Sequence, residues 1–69
     1  MARQAMLATT ATVANTMKND MFVLATYGRA LDVISERDFA AIEDMRSRLI
    51  RILHKTEQEI NNPAILKTE

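Results

Sequence analysis

Arg48, Arg51 and Lys55 recur at three- and four-residue spacing, so on a helix they share one face, with His54 and Arg37 close by in projection. A basic ridge of this kind can grip the phosphates of RNA or DNA, or an acidic partner. Acids at matching spacing oppose that chemistry: Asp44 lies four residues before Arg48, and Glu59 four after Lys55. Pairs so placed neutralise a helix surface locally and are worth about 0.2–0.5 kcal/mol each. The ridge also lacks interleaved aromatic side chains on which bases could stack. A solvated helix face is the stronger reading, and nucleic-acid or anion contact through Arg48, Arg51 and Lys55 is the alternative.

The other reactive groups are sparse. His54 invites a metal or acid–base role, but the chain has no second His and no Cys, and its neighbours on the polar face are basic. The carboxylates Glu36, Asp38, Glu43 and Asp44 invite comparison with a magnesium site, which needs acids converging from more than one helix. Here Asp32, Glu36 and Glu43 fall on different sides of an expected turn, and complementing a helix dipole already accounts for the cluster. With no Gly-rich loop and no set of converging polar groups, the chain is not expected to be an enzyme or to hold a cofactor or metal.

Nine basic and nine acidic residues cancel, and the isoelectric point lies near 6.6, so bulk attraction to phosphate is weak. Residues 1–18 carry only Arg3 and Lys18 as cations, too few for a membrane-surface helix. The longest dense apolar run, Met21 to Ala25, falls far short of the roughly 20 residues of a membrane span. The first residues run into Thr9 and Thr10 rather than a sustained apolar stretch, which predicts a cytoplasmic protein.

One Gly and one Pro in 69 residues leave room for little besides two long helices, as a single helical domain over residues 1–69. The clearer one is expected over about 36–61. Ser35 is a good N-cap, and Glu36, Asp38, Glu43 and Asp44 place negative charge toward the positive end of the dipole. Phe39, Ile42, Met45, Leu49, Ile52, Leu53, Thr56 and Ile60 then put one apolar stripe along its length. Asn61, Asn62 and Pro63 stop it, leaving residues 63–69 as a tail.

The first half carries β-branched Thr9, Thr10, Thr12, Val13 and Thr16, which lower helix propensity, countered by Ala5, Ala8, Ala11 and Ala14. Met6, Val13, Met17, Leu24 and Leu31 fall within a narrow helical arc, so a helix is expected over about 3–34, with a candidate break at Asn19-Asp20. Gly28 beside this arc suggests a close approach of backbone to a neighbour, because Gly inside a helix otherwise costs about 0.8–1.0 kcal/mol relative to Ala. The turn is expected around Val33 to Glu36; a single helix running through Ser35 is the alternative, exposing both stripes unless several chains pair along it.

Between Met21 and Ile34 the first helix is apolar on several sides: Leu24 and Leu31 on the first arc, Phe22 and Val33 on another, Val23, Ala30 and Ile34 on a third. A single partner helix covers only one stripe, and a chain this short buries little of its own surface. Without Cys for disulfides or thiolate metal sites, association is the remaining aid to stability. The expected fold is therefore all-α, an antiparallel helical hairpin assembling as a dimeric four-helix bundle or completed by a partner's helices. The expected interface comprises Met17, Met21, Phe22, Val23, Leu24, Leu31, Val33 and Ile34, with the methionines suited to accepting a partner helix. The function this implies is that of a small non-enzymatic interaction protein: an adaptor, small chaperone, assembly factor or regulator.

Overall fold

The computed structural model describes residues 2–61, which form an antiparallel hairpin of two helices, α1 (Ala2–Ala30) and α2 (Glu36–Asn61). The expected stop at Asn62-Pro63 and the tail over 63–69 lie outside the described residues. Helix α2 begins at Glu36, as expected, and is helical to Asn61, the last described residue. The Asp38 amide donates to Ser35 Oγ at 3.0 Å and the Phe39 amide to the Ser35 carbonyl at 2.9 Å, so Ser35 caps the helix as its position indicated.

Helix α1 decides the candidate break and departs from expectation at its end. It runs unbroken through Asn19 and Asp20. Asp20 needs no capping role because it stands on an exposed groove beside Met17, Met21 and Leu24, where its carboxylate remains in water. The helix also ends at Ala30 rather than near residue 34, and the turn occupies residues 31–35. The chain leaves the helix through Asp32 at φ 61°, while the Val33 amide donates to the Gly28 carbonyl at 2.9 Å and the Asp32 amide to Arg29 at 3.1 Å. This is a Schellman termination, which satisfies the last carbonyls and usually places Gly at the left-handed position. Asp fills that role here, its short polar side chain tolerating the conformation better than most.

Helix α1 meets α2 through a face that its large apolar side chains do not mark. The shielded positions of α1 are Leu7, Ala11, Ala14, Lys18, Met21, Ala25 and Gly28, a strict alternation of four- and three-residue steps. The arc of Met6, Val13, Met17, Leu24 and Leu31 lies off the seam and is exposed. The opposing seam on α2 is Phe39, Ile42, Arg46, Leu49, Leu53, Thr56 and Ile60, again at three and four. Small residues on one helix and large ones on the other let the axes come close while Ile42 and Leu53 fill the space left by Ala14 and Ala25. Thr56 is buried without an orphaned hydroxyl because its Oγ1 donates to the Ile52 carbonyl at 2.7 Å.

Ion pairs hold both ends of the hairpin. Arg3 meets Glu59 at 2.6 Å at the open end, and Arg29 meets Glu36 at 3.2 Å across the turn. Glu59, expected to neutralise Lys55 along α2, is instead engaged by the other helix. Next to the turn, Gly28 is buried against Ile34, the close approach its position suggested; the neighbour is the connecting segment rather than the body of α2.

Candidate interaction surface

The two flanks of the hairpin differ in how their apolar side chains are covered. On one flank the Arg46 guanidinium carbon lies 5.2 Å from the centre of the Phe22 ring, and that of Arg29 lies 4.4 Å from the centre of Phe39. Each arginine spreads an aliphatic stem and a planar cation over an aromatic face while keeping charge in reach of water. Arg46 is also 3.9 Å from Glu43, but its Nε is buried with no hydrogen-bond partner among the described residues.

The other flank carries no such cover. Counting back one residue from each seam position of α1 gives Met6, Thr10, Val13, Met17, Asp20, Leu24 and Tyr27, a second stripe at three and four that Leu31, at the start of the turn, extends. On α2 the neighbouring edge supplies Met45 and Ile52. Val13, Met17, Leu49 and Ile52 line one groove together, which shows that the two edges form a continuous surface across both helices. Met17 and Met45 are each 43% exposed, Ile52 48% and Leu24 52%, so these side chains keep about half their surface in water despite lying side by side. A contiguous apolar strip is rare on a chain that acts alone.

The expected interface residues do not all meet on this surface. Met17, Leu24 and Leu31 belong to it, and Met21 is a seam residue that also borders the groove of Met17 and Leu24. Phe22 sits on the opposite flank under Arg46, Val23 on the outer side of α1, and Val33 projects from the turn. Ile34 is used within the hairpin, against Gly28. Val13, Tyr27, Met45 and Ile52 join the surface without having been expected at an interface. The signal for Val13 and Tyr27 was the second stripe of α1, offset by one residue from a run of small residues that a hydrophobicity count passes over.

Arg48, Arg51 and Lys55 are all exposed. Arg48 Nε donates to Asp44 Oδ2 at 3.0 Å, the pair their spacing indicated, so the ridge is partly neutralised. Arg51 points away from the seam; Arg48 stands three residues from Met45 and four from Ile52 at the edge of the apolar strip, and Lys55, three residues beyond Ile52 and seven beyond Arg48, lies along the same edge. His54 shares a shallow polar groove with Glu57, Gln58 and Asn61. Among the described residues no cluster of three His, Asp or Glu side chains is placed to hold a metal, and no helix is long and apolar enough to cross a membrane.

Known proteins supply no relative for this arrangement: no family model, curated protein or solved structure matches the chain.

Proposed function

We propose that the chain is a small non-enzymatic interaction protein that works by laying the Val13–Met17–Leu24–Met45–Ile52 surface against helices of another chain, either its own copy or a partner, to complete a four-helix bundle. The role is then adaptor, small chaperone, assembly factor or regulator, exercised through recognition rather than chemistry. The observation that carries this reading is the apolar strip itself. Arginine guanidiniums lie over Phe22 and Phe39 on one flank, where Phe22 is still 51% exposed, while the other flank presents Met and β-branched side chains about half exposed across both helices with no cation over them. Methionine suits such a surface, its flexible thioether adapting to a partner's contour.

Sedimentation of the isolated chain at micromolar concentration, combined with chemical unfolding, tests it. The expected result is either an oligomer or a monomer of marginal stability that gains stability when helices cover this surface. A compact monomer that unfolds cooperatively at high denaturant refutes the reading, because such a molecule needs nothing over its apolar strip.

A further inference from the structure

The geometry points to a second copy of this chain as the occupant of the apolar strip, docked with the two hairpins pointing the same way about a two-fold axis along their length. This inference rests on the interaction reading above and adds the identity of the partner and its orientation.

The strip is large enough for a stable dimer. From Met6 to Leu31 it follows α1 for roughly 39 Å at about 1.5 Å per residue. Two helices whose axes are about 8–10 Å apart present a face roughly 20 Å wide. The product is on the order of 800 Å² per chain, the amount a standard stable interface takes from each partner.

Charge selects the partner and its direction. Asp20 interrupts the apolar stripe of α1 at its middle, beside Met17 and Leu24, on the edge away from α2. Arg48 occupies the corresponding edge of α2, beside Met45 and Ile52. Arg46 lies over Phe22, and Leu49 shares a groove with Met17, so residue 48 stands at the level of residues 19–20 on the other helix. The strip thus carries an acid and a base at the same height on opposite margins, with Lys55 two turns further along the margin of Arg48.

Two arrangements bury such a face on its own copy. Rotation about an axis along the hairpin preserves height and exchanges the margins, so α1 lies antiparallel on the partner's α2, and each Asp20 meets an Arg48. Rotation about an axis across the hairpin keeps the margins and reverses direction, placing acid toward acid and base toward base. The first satisfies both charges twice over by symmetry; the second sets like charges together at the middle of the contact. Arg48 can serve two acids, since its bond to Asp44 uses Nε and a guanidinium has five donors in a fork. Asp20, which costs helix α1 an apolar position on this stripe, thereby gains a role in setting register, as single polar residues do in coiled coils.

The chain has no native cysteine, so single-cysteine variants report contacts cleanly. Full-length Asp20→Cys and Arg48→Cys chains are mixed, equilibrated, oxidised and resolved by mass. The expected product is the mixed 20–48 dimer in excess over both 20–20 and 48–48 species. In parallel, Asp20→Arg and Arg48→Glu each weaken dimerisation about tenfold, two edge pairs being lost at once, and the double variant returns to near the parent. Arg51→Glu, on the outer side of α2, leaves the dissociation constant unchanged. A dimer giving chiefly 20–20 and 48–48 products overturns this orientation while self-association stands. A marginally stable monomer overturns the second copy as occupant and leaves the interaction reading intact with a foreign helix; a compact, stable monomer overturns both.

Discussion

Ile34 packs against Gly28 so closely that a Cβ on the glycine would meet its Cγ2 at 3.1 Å and its Cδ1 at 3.3 Å. The contact joins the last turn of α1 to the residue before the cap of α2, and so fixes where the chain reverses. It also explains the one glycine of the sequence, which sits inside a helix at a position that would otherwise favour alanine.

Enlarging residue 28 should therefore destabilise the hairpin through this contact. Gly28→Leu is expected to cost about 1–3 kcal/mol, the usual range for overpacking, read as a lowered denaturation midpoint. Gly28→Ala should be near neutral, because its helix-propensity gain of about 0.8–1.0 kcal/mol offsets the shift Ile34 must make. A double-mutant cycle with Ile34→Ala assigns the cause. If Gly28→Leu costs as much without the Ile34 side chain as with it, the contact is not what the glycine serves.

The turn supplies a pair of opposite-signed expectations. Asp32 holds φ 61°, so Asp32→Gly relieves a left-handed strain and should stabilise by about 0.5–1 kcal/mol. Ser35→Ala removes the acceptor of the Asp38 amide and should cost about 1 kcal/mol. Urea titrations of both variants check this, and a destabilising Asp32→Gly would show that the aspartate side chain does more than tolerate the conformation.

How much of this was legible in the sequence depended on what each signal measures. Ser35 and the acids behind it marked the start of α2 because capping is local chemistry. The end of α1 was misplaced by a few residues because a Schellman termination built on Asp32, with no Gly, leaves little local trace. Hydrophobic periodicity, which weights side chains by size, did not mark the seam of α1, because four of its seven positions are the small residues Ala11, Ala14, Ala25 and Gly28. The exposed surface was legible in part: Met17, Leu24 and Leu31 were expected at an interface, whereas Met6 and Val13 stood only as members of a helical arc. Pairings across the hairpin, such as Arg3 with Glu59 and Arg46 with Phe22, depend on register and were not accessible from spacing along one helix.

Arg46 interrupts the α2 seam with a buried Nε that has no hydrogen-bond partner among the described residues. Leaving such a group unpaired costs about 1–3 kcal/mol, and the guanidinium recovers about 0.5–1 kcal/mol from the Phe22 face. Arg46→Met keeps a flexible apolar cover on Phe22 and removes the unpaired donor. A net gain of about 1 kcal/mol is expected in chemical denaturation. A loss would show that the cation over Phe22, or its 3.9 Å approach to Glu43, outweighs the unsatisfied Nε.

Placing a charge on the apolar strip and placing one on the basic ridge should have opposite consequences, and the contrast separates the two readings of this chain. Met17 and Ile52 stand on the strip and are about half exposed already, so Met17→Glu or Ile52→Glu disturbs the single hairpin little. Either change buries an unpaired carboxylate once another helix covers the surface, a penalty of several kcal/mol that association cannot meet. Arg51 lies on the exposed back of α2, where Arg51→Glu changes only a solvated face. Sedimentation should therefore show association lost in Met17→Glu and Ile52→Glu and retained in Arg51→Glu, with helical content unchanged in all three. Low-salt gel shifts with RNA and DNA complete the comparison. Retention of nucleic acid by the parent that disappears in Arg51→Glu and Lys55→Glu, but survives Met17→Glu, would transfer the functional surface from the strip to the ridge.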